Sequence, residues 1–154
     1  MLTKEQKKEA NELFWGGFKT YSKAYKSCNG RRMNWANYPT DVKDLYVRLH
    51  ADAAMAMLTF DIQPKDPGIR AILWEQMNEL KKVMEENMTI KPLWVEHLNM
   101  PDGRVISRIQ WKKENVNFLN PADHKVMFEF FMAVLLPFDE FYQEFKDILI
   151  NLTD

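Results

Sequence analysis

Two runs, Leu45-Tyr-Val-Arg-Leu-His-Ala51 and Ala54-Met-Ala-Met-Leu-Thr-Phe-Asp-Ile-Gln63, decide the fold. In the first, Leu45, Val47 and Leu49 alternate with Tyr46, Arg48 and His50. In the second, Ala54, Ala56, Leu58, Phe60 and Ile62 alternate with Met55, Met57, Thr59, Asp61 and Gln63. A period of two is the signature of a strand with one buried face. The link Asp52-Ala53 is short enough to return the chain antiparallel, so the two runs predict a hairpin.

Working outward, the same logic gives a second hairpin. Leu93–Leu98 and Val105–Trp111 flank Pro101-Asp102-Gly103, residues that a tight turn uses. Val116-Asn-Phe118 is expected to extend the sheet. Helical periodicity fills the remainder. Thr3 and Gln6 form a capping-box pattern ahead of a helix expected over residues 4–27, with Phe14, Phe18, Tyr21 and Tyr25 on one stripe and Asn29-Gly30 as its stop. Gly16-Gly17 inside that helix points to a close approach by another segment or a break. Asp66-Pro67 opens a helix running to about Asn87, with Ile69, Ile72, Leu73, Gln76, Met77, Leu80, Val83 and Met84 as its apolar face. Asn120-Pro121 opens the last helix, which Pro137 should kink or divide. The order is α-ββ-α-ββ-α: an α+β domain with three helices on a mainly antiparallel sheet of four to five strands.

At 154 residues the chain is the size of one domain. Ten Phe, ten Met, five Trp and five Tyr are either the filling of a core of large side chains or the material of an adhesive surface. Cys28 stands alone, so no intrachain disulfide forms and a reducing compartment is implied. Lys26, Arg31 and Arg32 lie near it, the only hint of an activated thiol. The first residues are charged, and the longest uncharged apolar run, Phe130 to Phe138, is far short of a membrane span. The expected location is cytoplasmic, with no membrane partner.

Net charge is −1, but unevenly spread. Residues 19–50 carry Lys19, Lys23, Lys26, Arg31, Arg32, Lys43 and Arg48 against two aspartates, a balance of +5; residues 114–154 balance to −6. The basic segment could meet phosphates, or the acidic one, within one molecule or between two copies. Arg31, Arg32, Trp35, Tyr38, Lys43 and Arg48 mix cations with rings able to stack on bases, and Arg108, Trp111, Lys112 and Lys113 form a second such set.

The polar face of the sheet is the other candidate. The alternation places Tyr46, Arg48, His50, Thr59, Asp61, Glu96, Arg108 and Gln110 together, either as a solvated face or as a pocket where His50, Asp61, Glu96 and Arg108 meet. Asp52 or Asp61 with Gln63 and Lys65 only superficially fits a nuclease metal site, since Pro64 interrupts the strand and a second carboxylate is missing. His50, His97 and His124 have no zinc-ligand spacing, and no P-loop, GxGxxG or GxSxG motif occurs. No metal and no cofactor is expected.

Leu13-Phe-Trp15, Asn34-Trp-Ala-Asn-Tyr38, Leu45-Tyr-Val-Arg48, Val105-Ile-Ser-Arg-Ile109 and the Phe-rich final helix resemble a prokaryotic family of domains of unknown function, about 140–150 residues long, near the commonest domain size. The resemblance covers nearly the whole chain. It implies a bacterial domain found alone or appended to larger proteins with restriction-nuclease-like domains, and it assigns no catalytic residues. The expected function is a non-enzymatic binding module near nucleic acid. The alternatives are a homodimeric or partner-binding domain, then a small hydrolase or nuclease using Asp61, Glu96 and Arg108.

Overall fold

The computed structural model describes residues 1–153. Its elements are α1 (Lys4–Ser22), a short 3-10 turn (Trp35–Asn37), β1 (Leu45–Ala51), β2 (Met55–Ile62), α2 (Pro67–Glu79), α3 (Lys81–Glu86), β3 (Leu93–Asn99), β4 (Val105–Glu114) and α4 (Pro121–Thr153). The four strands form one antiparallel sheet in the order β1-β2-β4-β3. The α+β class and both hairpins are therefore as the alternation predicts.

Local chemistry sets the boundaries. Thr3 and Gln6 make the reciprocal capping box of α1 (3.1 and 2.8 Å), and Asp66 accepts from the N–H groups of Gly68 and Ile69 to start α2 behind Pro67. Gly103, at φ 89°, turns the second hairpin. Four expectations need correction. The first helix ends at Ser22, because the chain from Lys23 onward turns toward the loop that carries Trp35. The second helix divides at Leu80, whose N–H is shared by the Gln76 and Met77 carbonyls and tightens the last turn. Residues 116–118 do not add a strand: Asn115 adopts φ 62°, and the N–H groups of Val116 and Phe118 then donate to the hairpin turn at Ala54 and Asp52. Pro137 does not divide α4, which runs unbroken for 33 residues. The carbonyl freed by Pro137 is that of Ala133, an exposed residue whose carbonyl water can satisfy.

The core lies between one face of the sheet and the helices. Leu45, Val47, Ala56, Leu58, Phe60, Ile62, Ile109 and Trp111 point into it from the strands. Phe138 of α4 meets Phe60 and Trp111 with ring centroids 5.3 and 6.2 Å apart, and α1 joins through Phe14 and Phe18 against Phe128 and Phe131. The aromatic surplus is thus core filling. Among the described residues, Tyr46 is the one aromatic in the set of large apolar side chains left exposed. On α2 the buried set is Arg70, Leu73, Trp74 and Met77, while Ile69 and Ile72 face outward, a rotation of the face expected from periodicity. None of the described helices is long and apolar enough to cross a membrane.

The glycine pair in α1 does two different things. A Cβ at Gly17 would come within 3.2 Å of the Phe128 ring, whereas at Gly16 nothing lies within 4 Å. Gly17 is the close approach that lets α4 pack on α1; Gly16 is an uncompensated loss of helix propensity. Gly16→Ala should therefore raise stability to chemical denaturation by about 1 kcal/mol. Gly17→Ala should give clearly less, or a loss. Equal gains at both positions would show that the Phe128 contact is slack.

Candidate functional site

One carboxylate organises the region in which the basic segment sits. Asp139, on α4, is 1% exposed and makes no ion pair among the described residues. It instead accepts from the Tyr38 hydroxyl (2.6 Å), the Ser27 hydroxyl (2.8 Å), the Cys28 N–H (3.0 Å) and the Gln143 amide (3.2 Å). Burial pushes the Asp139 pKa up, but the hydrogen bonds from Tyr38, Cys28, Ser27 and Gln143 outweigh it and hold the group below the usual carboxylate range. Burial and the same carboxylate push the Tyr38 hydroxyl up.

Asp139 belongs to a polar stripe on α4. Tyr142 donates to the Thr40 carbonyl (2.6 Å), Gln143 to the Tyr38 hydroxyl (3.1 Å) and Lys146 to Asp41 (3.1 Å). Positions 139, 142, 143 and 146 share one helix face. That face therefore holds both ends of the connection from Ser27 to Asp41, which has little regular structure of its own.

The connection and the end of α1 enclose a cleft of about 640 Å³, an ordinary size for a ligand pocket. Exposed Lys19, Lys23, Lys26 and Arg32 surround it; half-buried Tyr25 and Met33 and buried Trp35 supply the apolar part. Trp35 is fixed by its indole N–H on the Tyr25 carbonyl (3.1 Å). Among the described residues no carboxylate lines the cleft, and none of its four cations forms an ion pair. The C-terminal dipole of α1 offsets about half a charge, so the cleft stays strongly positive.

The acidic and basic segments thus meet through hydrogen bonds to Asp139 and through Lys146–Asp41, not by pairing the basic segment's cations. Arg32 lines the cleft; Arg31 and Lys43 are exposed outside its lining. Trp35 and Tyr38, read from the sequence as stacking rings, are 1% and 3% exposed and belong to the core, which removes them from any stacking on bases. Trp111 is likewise in the core. Cys28 is exposed, but desolvation and Asp139 raise its pKa, so the nearby cations do not activate the thiol.

The sheet-face residues separate. Asp61 is fully buried and held by both Arg48 and Arg108. His50 turns away to Asp52 (2.8 Å). Glu96 falls in a register shift between Val95 and Leu98, and among the described residues its carboxylate approaches only His97, its neighbour in sequence (3.3 Å). Asp61 and Glu96 therefore do not converge as an acid–base pair with Arg108. No group of three or more His, Cys, Asp or Glu among the described residues is placed to hold a metal ion.

Asp139 yields a prediction with a definite sign. Its folded pKa is depressed, so its contribution to stability is present above the unfolded value of about 3.9 and is lost as pH falls through the folded value. Asp139→Asn should lower stability at neutral pH by about 1–3 kcal/mol for each donor left unpaired. The loss of stability below about pH 4 should also become shallower than in the wild type. Urea titrations across pH measure both; parallel acid limbs for the two proteins would contradict the assignment.

Neither a curated protein nor a solved structure matches the chain. A family model does: that of DUF4268, a domain of unknown function, matches residues 11–146. That span runs from α1 through Lys146, and so contains the sheet, the cleft and the Asp139 stripe. The chain belongs to the DUF4268 family.

Proposed function

We propose that this chain is a non-enzymatic binding module that engages single-stranded nucleic acid through the basic cleft. The observation that carries the reading is the set of four cations, Lys19, Lys23, Lys26 and Arg32, unpaired among the described residues, around a cavity that no described carboxylate lines and that Tyr25, Met33 and Trp35 make partly apolar. The cations suit phosphates, and half-buried Tyr25 with Met33 offers apolar contact to a ring, with buried Trp35 only backing them. The resemblance to domains appended to restriction-nuclease-like proteins supports a setting in nucleic-acid processing or defence. An acid–base role for Asp61 has no geometric support, since two guanidinium groups occupy its carboxylate.

A second reading rests on α4. Its exposed Glu129, Glu140 and Glu144 form no ion pairs among the described residues. Self-association that seats this acidic helix on the basic cleft of a second copy is the protein-binding alternative. It predicts a dimer at low salt that dissociates as salt rises, measured by light scattering; a monomer in low and high salt alike would exclude it.

Fluorescence anisotropy of a labelled single-stranded oligonucleotide tests the first reading. Binding should appear at low salt and weaken as salt rises, with log K falling by about 0.7 per phosphate engaged for each decade of salt. Lys23→Ala, Lys26→Ala and Arg32→Ala together should weaken it at least about tenfold while leaving the fold intact, because those side chains are exposed and unpaired. No binding at low salt, or unchanged binding in the triple variant, would overturn the proposal.

A further inference from the structure

Every second residue of the strands turns away from the helices, and the face they form carries exposed Tyr46, Arg48, His50, Leu93 and Lys112. At its centre, register places Tyr46, Asp61, Arg108 and Val95 in one row across the sheet, with Arg48, Thr59, Gln110 and Leu93 in the next. We propose that Arg48 and Arg108, held by Asp61 and joined by Thr59 and Gln110, form a phosphate-binding site on this face. The site is separate from the cleft and does not depend on it.

The geometry of the arginines carries the argument. Arg108 grips Asp61 with two nitrogens, Nε at 2.7 Å and Nη2 at 3.1 Å. Arg48 uses Nη1 alone, donating to Asp61 (2.6 Å) and to Gln63 (2.8 Å), and its guanidinium lies over the Tyr46 ring at 4.5 Å. Each guanidinium has five N–H donors; with two spent, three remain on each. Asp61 thus fixes two planar donor groups side by side and neutralises only one of their charges. Side chains already held in place lose little freedom when an oxyanion arrives, and planar arginine donors suit a phosphate.

Thr59 and Gln110 supply further hydrogen-bonding groups in the adjacent row. Thr59 is 3% exposed as a residue, but neither its hydroxyl nor the amide of Gln110 beside it in register is a buried orphan. Neither hydrogen-bonds within the described residues, so both are free to meet a ligand. A cross-strand brace needs only Arg48, Asp61 and Arg108. Thr59 and Gln110 take no part in that brace. A phosphate bridging the free edges of the two guanidinium groups would take its remaining hydrogen bonds from Thr59 and Gln110. The phosphate could belong to a free nucleotide or to a nucleic-acid backbone, and the two sources differ in how tightly they fill the same site.

Nuclear magnetic resonance on the isotope-labelled full chain tests this, following the Arg48 and Arg108 Nε–H signals and the Thr59 and Gln110 amides. The probes are inorganic phosphate, a nucleoside monophosphate and a short single-stranded oligonucleotide, each against chloride at matched ionic strength. The proposal predicts saturable shifts at these positions. Arg48→Gln, which leaves the paired grip of Arg108 on Asp61 in place, should weaken them about tenfold. Thr59→Val should weaken them by a smaller factor. An oligonucleotide that saturates the site at least about tenfold more tightly than the monophosphate marks a backbone contact, and the reverse order marks a free-nucleotide site. Shifts that never saturate, that chloride reproduces, or that Arg48→Gln leaves unchanged would overturn it. Signals at Lys23 and Trp35 report the cleft separately, so either site can fail alone.

Discussion

Asp139 is a charge taken out of water with no opposite charge beside it among the described residues. Moving a carboxylate into the interior costs several kcal/mol, and here four hydrogen bonds to an ionised acceptor offset it, each worth about 1.5–3 kcal/mol. Those donors come from Ser27, Cys28, Tyr38 and Gln143. Three of them lie in a connection with almost no ladder or helix bonds of its own. The carboxylate therefore serves as the template on which that connection folds, and the basic cleft exists because the connection is held there.

The rest of the architecture makes this arrangement possible. The antiparallel sheet gives α4 a flat apolar bed in Phe60 and Trp111, against which Phe138 lies. Phe138 packs into that bed while the adjacent Asp139 reaches the connection, so core packing and polar anchoring occur on successive residues of one helix. Because α4 runs through Pro137 without dividing, the rigid segment spans both the α1 contact at Phe128 and the anchor at Asp139. Positioning the cations is thus a long-range consequence of helix–sheet packing. The outer face of the sheet repeats the theme at smaller scale, with a buried carboxylate setting the position of cations.

The sequence made the sheet legible because period-two alternation over Leu45–Ile62 has one physical cause, and the caps at Thr3 and Asp66 have recognisable chemistry. It also showed that positive charge gathers in residues 19–50. It did not show which rings are available, since Trp35 and Tyr38 lie in an irregular stretch where no periodicity reports burial. Asp139 was visible only as one of several acids. The signal that could have singled it out is the polar stripe Asp139, Tyr142, Gln143 and Lys146 at helical spacing on an otherwise Phe-rich helix. Glu96 was misplaced because a register shift inside β3 leaves no mark in the alternation.

Amide hydrogen exchange on the wild type and Asp139→Asn tests the central claim most directly. If the carboxylate is the template of the connection, the variant loses protection at the Cys28 amide and through residues 27–40, while β2 and β4 keep theirs. Unchanged protection across residues 27–40 would contradict the account. So would a uniform loss over the whole chain, because Asp139 would then be one support of a single cooperative core.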